Sequence, residues 1–303
     1  MRLWMLVALI VSATTTTAFA QLPPDLAASV RELGTTIKAP ETGKLFAPLQ
    51  AKEPYADAIV ERDLKYGPDE RNLLDVFKAK GSDNPKPVLI FLHGGGYRRG
   101  NKRTGTSPYY DNVMLWAVSN GMVGVNMTYR LAPAATWPSG ADDIAAAVTW
   151  VKANIAKYGG DGNRIYLFGH SAGASHVGSF LARDGHPQVR GAILASGTYA
   201  LDPSTNDPGE RAYFGADTSL WQDRSSINGL AKSSVPLLIV RAELDVPYYA
   251  RQTDTLKAKL CEQNRCPTYL VLKGHSHMSE IYAINTSDRS FTSAIADFVA
   301  KTR

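Results

Sequence analysis

Cysteine is scarce in this sequence: there are two in 303 residues, Cys261 and Cys266, and they lie five positions apart. A redox-active pair favours the spacing C-x-x-C, and a metal site needs further ligands close by, so neither is indicated. In an oxidising compartment, two cysteines this close in the chain are expected to be bridged. We therefore predict a structural disulfide between Cys261 and Cys266, and no metal site.

The sequence also lacks a strong excess of either charge. Its 33 Lys and Arg residues against 28 Asp and Glu residues give a formal net charge of +5, and the basic residues are spread along the chain. This distribution does not indicate a nucleic-acid partner. The tightest basic cluster is interpreted as a solvated turn, with attraction of an anionic substrate as the alternative; it comprises Arg98, Arg99, Lys102 and Arg103.

No hydrophobic run is long enough to cross a bilayer. The longest apolar stretch, residues 3–11, follows Arg2 and precedes a Ser/Thr tract and Ala18-Phe19-Ala20. These three zones are typical of a secretory signal peptide with an A-x-A cleavage site. We expect residues 1–20 to be removed, leaving a secreted or periplasmic protein that begins at Gln21 and has no membrane contact. A membrane anchor is the alternative.

Strand patterns alternate with helical patterns over most of the chain. Residues 59–66 and 73–78 suggest an antiparallel pair at a sheet edge, and the later apolar runs are typical of strands buried on both faces: 88–92, 122–127, 164–168, 191–195, 237–240 and 268–272. The clearest helical pattern, residues 141–158, stops at Gly159-Gly160. The alternation predicts one α/β domain over residues 21–303, with a mostly parallel sheet of about eight strands and helices on both faces.

Two segments do not follow this alternation. Residues 21–58 contain a short helical pattern at 25–33 and then a Pro-rich stretch, and residues 201–234 form a long polar connection between two core strands. Long excursions of this kind are often functional. Residues 21–58 are either part of a lid over the active site or packed on the surface, and both alternatives stay open. We expect residues 201–234 to form part of the substrate pocket wall, with a surface loop as the alternative.

The pentapeptide Gly169-His170-Ser171-Ala172-Gly173 lies between the strand 164–168 and an apolar helical pattern. A strand that turns into a helix within a few residues needs glycines for close approach, and the strained turn exposes the serine hydroxyl. The pattern predicts a nucleophile elbow at Ser171, with an ordinary glycine-rich turn as the alternative.

A serine nucleophile needs a base and a carboxylate further along the chain. The loop after the last strand offers His275 and His277, and we favour His277 because it lies further from the strand. The loop after residues 237–240 offers Asp245 as the carboxylate, and Glu243 is a less suitable substitute. The alternative role of Asp245 is a purely structural one, as the N-cap of the helix that follows.

The sequence His93-Gly94-Gly95-Gly96 ends the strand 88–92, and its lack of side chains lets backbone amides face Ser171. Gly95 and Gly96, with Ala172, are predicted to form an oxyanion hole. A phosphate-binding loop is not indicated, because no Gly-Lys-Ser/Thr follows.

Taken together, five motifs resemble the α/β-hydrolase superfamily, and within it the HGGG-type carboxylesterases related to hormone-sensitive lipase and to feruloyl, acetyl-sugar and kynurenine-formamidase-like enzymes. They are His93–Gly96, Tyr129–Pro133, Tyr158–Asp161, Gly169–Gly173 and Glu243–Asp245. The resemblance implies the triad Ser171, Asp245 and His277 and the oxyanion hole Gly95, Gly96 and Ala172.

These residues predict an exported serine carboxylesterase that forms an acyl-enzyme on a small-molecule or sugar-linked ester, without a cofactor. An arylformamidase-like amidase or peptidase and a non-catalytic binding protein are the alternatives. The side chains expected to line the substrate pocket, with core packing as the alternative, are Tyr97, Tyr199, Trp221 and Tyr248.

Overall fold

A computed structural model describes residues 21–81, 84–186, 188–205 and 207–302, so the expected signal peptide lies outside the described residues. Within these ranges eight strands form one sheet: β1 (Ala58–Lys65), β2 (Leu73–Ala79), β3 (Lys86–Leu92), β4 (Val123–Met127), β5 (Gly160–His170), β6 (Gly191–Ala195), β7 (Leu237–Leu244) and β8 (Thr268–Ser276). Their order across the sheet is β1-β2-β4-β3-β5-β6-β7-β8.

The sheet is antiparallel at one edge and parallel elsewhere. Strand β2 pairs antiparallel with both β1 and β4, and all other neighbours pair in parallel. Burial follows the sequence pattern: β1 alternates between the core and solvent, whereas β4 and β6 are buried along their whole length. The predicted α/β class, the edge hairpin and the mostly parallel sheet of eight strands are confirmed.

Helices cover both faces of the sheet. They are α1 (Pro24–Leu33), α2 (Ala39–Phe46), α3 (Asp111–Ser119), α4 (Ser139–Asn154), α5 (Ala172–Leu181), α6 (Pro208–Phe214), α7 (Trp221–Arg224), α8 (Ile227–Lys232), α9 (Pro247–Cys261), α10 (Ser279–Tyr282) and α11 (Thr292–Lys301). Helices α4, α5, α8 and α9 contribute to the core on one face, and α3 and α11 to the core on the other. The predicted helix 141–158 is α4 followed by a 3-10 turn, and it stops at Gly159 in the left-handed conformation (φ 76°).

Residues 21–50 pack beside the end of β8. Val30 of α1 and Phe46 of α2 share an apolar cluster with Met278 and Tyr282, and the Gln50 side-chain amide donates hydrogen bonds to the carbonyls of Tyr282 and Ile284 at 2.9 and 3.0 Å. This segment therefore lies against the chain that immediately follows His277.

The connection 201–234 folds into α6, α7 and α8. Asp207 begins α6, because its Oδ1 accepts hydrogen bonds from the amides of Gly209 and Glu210 at 2.8 Å. A side chain at Gly209 would meet the carbonyl of Gly96 at 2.3 Å, so α6 packs directly on the glycine loop.

The structure contains the predicted disulfide. Cys261, the last residue of α9, is bonded to Cys266, and the two Cα atoms are 4.2 Å apart. Within the described residues, no helix has the length and apolar character needed to cross a membrane.

Candidate active site

Ser171 lies at a sharp turn between β5 and α5. Its φ of 55° is in the left-handed region, and its amide donates a hydrogen bond of 2.8 Å to the carbonyl of Ala195 on β6. A side chain at Gly169 would meet Ala174 Cα at 2.5 Å, and one at Gly173 would meet the carbonyl oxygen of Leu92 at 2.3 Å. Glycine is therefore required on both sides of the serine, as the elbow interpretation predicts.

His277 and Asp245 form a buried pair at the ends of β8 and β7. His277 Nδ1 is 2.8 Å from Asp245 Oδ1, and that oxygen also accepts a hydrogen bond from the Val246 amide at 2.7 Å. Because the carboxylate accepts, Nδ1 carries the proton and Nε2 is left as the acceptor. Burial disfavours the imidazolium, but the charge and hydrogen bond of Asp245 outweigh this effect, so the pKa of His277 is raised.

The two alternative residues have other partners. His275 Nε2 is 2.8 Å from Asp288 Oδ2, and its Nδ1 is 3.2 Å from Ser279 Oγ, so both ring nitrogens are engaged away from Asp245. Glu243 is exposed and accepts hydrogen bonds from the Lys273 ammonium and the Gly274 amide. Neither residue competes for the place that His277 and Asp245 occupy.

A tyrosine connects Ser171 with the imidazole. The ring of Tyr249 stacks on His277 with centroids 4.9 Å apart and an angle of 26° between planes. Burial raises the pKa of Tyr249, whereas interaction of its hydroxyl with the Ser171 side chain lowers it. Among the described residues no hydrogen bond joins Ser171 Oγ to His277, a contact that is often long in unliganded enzymes.

The glycine loop lies against the serine. A side chain at Gly94 would be 3.0 Å from Ser171 Cβ, and one at Gly95 would meet the Arg99 carbonyl oxygen at 2.0 Å. Gly95 and Gly96 both have positive φ, 135° and 58°. Ala172 begins α5, where backbone amides have no partner within the helix. Bare backbone therefore surrounds the nucleophile candidate.

The predicted pocket side chains differ in exposure. Tyr199 (1% exposed) packs in the main core, and Trp221 (0%) packs with Tyr97 beneath α6, so these three lie in packed clusters. Tyr248 is partly exposed, and its hydroxyl donates a hydrogen bond of 2.9 Å to Glu210.

One member of the basic cluster is not solvated. Lys102 is buried, and its ammonium is 2.5 Å from Asp63 and 2.6 Å from Asp75. The solvated-turn interpretation is therefore wrong for Lys102, which neutralises a buried carboxylate instead of facing an anionic substrate.

Two residues of this region were missed by sequence reasoning. His170 Nε2 donates a hydrogen bond of 2.9 Å to the carbonyl of His277, and burial lowers the pKa of His170 to about 3. Glu280, on α10, has a carboxyl oxygen 3.3 Å from the same nitrogen. In the part of the chain that the structure describes, one ring nitrogen of His170, one of His277 and a carboxyl oxygen of Glu280 all lie within 4.8 Å of one another.

Comparison with known proteins finds similar proteins that are named esterases. Residues 74–189 match the BD-FAE family model. Esterase LipC of Mycobacterium tuberculosis is 28% identical over 72% of this chain and 60% of its own length, and fumonisin B1 esterase of Sphingopyxis macrogoltabida is 34% identical over 50% and 31%. The chain thus spans less than two thirds of the length of these relatives.

Solved structures share the fold at low identity. A truncated carbohydrate esterase from gut microbiota has a TM-score of 0.70 and 18% identity, covering 84% of this chain and 98% of that one. Esterase B from Lactobacillus rhamnosis has a TM-score of 0.69 and 17% identity, covering 91% and 94%. The predicted α/β-hydrolase fold is confirmed.

Proposed function

We propose that this protein, which has the α/β-hydrolase fold, is a serine carboxylesterase with Ser171 as nucleophile, His277 as general base and Asp245 as the carboxylate that orients it. The observation that carries the proposal is the 2.8 Å pair between His277 and Asp245 at adjacent strand ends, beside a serine on a strained elbow. The relatives named as esterases support the same chemistry.

The reaction proceeds in two steps. His277 Nε2 takes the proton of the Ser171 hydroxyl as its oxygen bonds to the acyl carbon, and then gives that proton to the departing alcohol as the ester C–O bond breaks. Water next bonds to the acyl carbon, His277 again holds the proton in transit, and the acid leaves as Ser171 is restored. Asp245 stabilises the imidazolium formed in each step.

The backbone amides of Gly95, Gly96 and Ala172 donate hydrogen bonds to the substrate carbonyl oxygen and stabilise the negative charge that develops on it. These amides belong to a loop and a helix start that pack on Ser171. Removing one such donor typically costs about 2.7 to 4 kcal/mol in the transition state. The proposed substrate is a small-molecule or sugar-linked ester, and the proposed steps use no cofactor.

Limited access to the nucleophile supports small acyl groups. Ser171 is 5% exposed, and α6 packs directly on the glycine loop beside it. Two similar proteins are named as a carbohydrate esterase and a fumonisin B1 esterase. We propose a short acyl group in the closed part of the site and the alcohol on its open side.

The proposal is tested with p-nitrophenyl acetate, a formanilide and an aminoacyl anilide. We expect the wild-type protein to hydrolyse the ester, and the rate to fall at least a thousandfold in Ser171→Ala and in His277→Asn. The matched control is Glu243→Gln, which changes an exposed carboxylate on β7 and should keep the wild-type rate. Because the pKa of His277 is raised, half-maximal kcat/KM should lie above pH 6.5. Faster cleavage of the formanilide or anilide would replace the esterase assignment with an amidase.

A serine-reactive phosphonate separates catalysis from binding. The reagent should label Ser171 in the wild-type protein and leave Ser171→Ala unlabelled, as shown by peptide mass spectrometry. Absence of label in folded wild-type protein would favour a binding protein and overturn the proposal.

Export is proposed on the residue pattern of positions 1–20 and is supported by the disulfide. N-terminal sequencing of protein recovered outside the cytoplasm should begin at Gln21. A chain that retains Met1 would contradict export through a cleaved signal.

A further inference from the structure

Glu280 is buried without a hydrogen bond. Its side chain is 0% exposed, and among the described residues neither carboxyl oxygen has a hydrogen-bond partner. No lysine or arginine pairs with it within the described chain. A buried carboxyl in this state is destabilising, so a local reason for its presence is expected, and such groups concentrate at functional sites.

The carboxyl of Glu280 lies between two imidazoles. Its Oε1 is 3.3 Å from His170 Nε2. A carboxyl oxygen of Glu280, one ring nitrogen of His170 and one ring nitrogen of His277 all lie within 4.8 Å of one another. The rings of His170 and His277 are themselves 4.8 Å apart, and His170 holds the His277 carbonyl. The buried carboxyl of Glu280 therefore lies close to the imidazole of His277, the proposed base.

We propose that Glu280 is a positioning residue of the active site, a second carboxyl that acts on the His277 imidazole in addition to Asp245. This inference rests on the proposed function to the extent that His277 is the base. Glu280 does not touch the substrate or Ser171 in the proposed reaction, and it acts through the imidazole alone.

The charged and titratable groups that face Glu280 come from every neighbouring element. They are Asp245 after β7, His275 and His277 of the β8 end, His170 of β5, and the hydroxyls of Ser196 and Tyr199 after β6. Among these, Asp245 has one buried oxygen, Oδ2, without a hydrogen-bond partner. The carboxyls of Asp245 and Glu280 thus lie among the imidazoles of His170, His275 and His277.

The electrostatics of this group couple Glu280 to His277. Burial, and then the charge of Asp245, raise the pKa of Glu280 to about 8, whereas the charge of His277 and the Ser196 hydroxyl lower it. The charge on Glu280 is in turn one of the causes that raise the pKa of His277. A proton on His277 favours the ionised form of Glu280, and the two groups therefore titrate together.

The test measures the titration of His277 directly. Wild-type protein, Glu280→Gln and the matched control Glu243→Gln are labelled on histidine, titrated by NMR in the presence of a chelator, and the His277 signal is assigned with His277→Asn. We expect Glu280→Gln to lower the pKa of His277 by about 0.5 to 1 unit, because a carboxylate at this range favours the imidazolium, and Glu243→Gln to leave it unchanged.

The same shift should appear in catalysis. The acid limb of kcat/KM for p-nitrophenyl acetate should move to lower pH in Glu280→Gln by the amount seen in NMR, whereas a merely structural residue would change only the amplitude. If Glu280→Gln does not fold, judged by circular dichroism, the shorter carboxyl of Glu280→Asp gives the second comparison.

The outcomes separate the two proposals. An unchanged His277 pKa in folded Glu280→Gln overturns the positioning role, whatever the activity. A shifted pKa in a wild-type protein that hydrolyses no ester leaves the positioning role intact and removes the esterase assignment.

Discussion

Acid should destabilise this protein at a pH where most domains are still stable, because three histidines are buried in neutral form. Burial lowers the pKa of His93 to about 4 and the pKa of His170 and of His176 to about 3. His93 stacks on Tyr129, and His176 lies among aromatic rings with neither nitrogen hydrogen-bonded in the described residues. None of the three can be protonated near neutral pH without loss of this packing.

The size of the effect follows from proton linkage. In the unfolded chain each histidine binds a proton near pH 6.5, whereas in the folded protein it does so only near pH 3 to 4. The unfolded state therefore binds more protons below pH 6.5, and stability falls as the pH falls. At pH 5 each histidine removes about 2 kcal/mol from the free energy of unfolding, and the three together remove about 6.

Groups whose pKa is raised in the folded protein act in the opposite direction. Glu280, whose pKa is raised to about 8, binds its proton more tightly in the folded state, and it therefore adds stability as the pH falls from 8 towards 4. The raised pKa of His277 adds stability below its own titration for the same reason. The three histidines and Glu280 together give a net loss of about 3 kcal/mol between pH 7.5 and pH 5, and the raised pKa values of His277, Asp143 and Glu210 make the loss smaller.

Urea unfolding followed by circular dichroism at pH 7.5, 6 and 5 measures this loss. His176→Phe removes one buried titration while it keeps a ring in the aromatic cluster, and its loss between pH 7.5 and 5 should be smaller by about 2 kcal/mol. Comparing losses cancels any effect of the substitution itself at pH 7.5. Equal losses in the two proteins, or a wild-type stability that is flat down to pH 5, would refute the reasoning.

Three further predictions concern the site and its frame. Gly173→Ala places a methyl group 2.3 Å from the Leu92 carbonyl oxygen, so the glycine loop must shift, and kcat for p-nitrophenyl acetate should fall at least tenfold; wild-type kcat would contradict this close approach. Tyr249→Phe keeps the ring stacked on His277 and should lower kcat only a few-fold, whereas Tyr249→Ala should lower it by tenfold or more; equal effects would assign the role to the hydroxyl. Cys266→Ser opens the short disulfide loop and should reduce the free energy of unfolding by about 2 kcal/mol, measured in urea; a variant as stable as the wild type would show that the bridge contributes nothing.

The sequence was sufficient for those parts of the fold that depend on local pattern. Strand β6 has the bounds that its apolar run predicts, and β3, β4 and β5 begin or end within a few residues of theirs. The glycines around Ser171 are informative because backbone atoms of Leu92 and Ala174 occupy the space of a side chain. Such positions can be predicted from the sequence, because the lack of space for a side chain restricts the residue itself to glycine.

The surroundings of the site were less accessible to sequence reasoning. Tyr199 and Trp221 adjoin strand ends or long loops in the chain, yet both are buried in packing clusters, and an aromatic residue carries no local signal that separates packing from ligand contact. Glu280 gave no signal at all, because a glutamate within a short polar stretch is normally solvated. Its burial is a tertiary effect, because the groups that face it, Asp245, His170 and Ser196, lie far away in the chain.

The choice between His275 and His277 depends on one irregularity in the sheet. Ala242 pairs with Leu272 across β7 and β8, and an unbroken register would place Gly274 beside Leu244 and His275 beside Asp245. Instead the register shifts, and Leu244 pairs with Ser276. Gly274, with φ of 73°, supplies the conformation that accommodates two additional residues in β8.

The bulge therefore exchanges the roles of the two histidines. With Leu244 beside Ser276, the next residue on each strand is Asp245 and His277, which meet at 2.8 Å, while His275 turns to Asp288. A side chain added at Gly274 meets no atom within 4 Å, so the constraint there is conformational and not steric. Without the bulge the same sequence would bring His275 to the carboxylate, and for this reason spacing alone could favour one histidine but could not exclude the other.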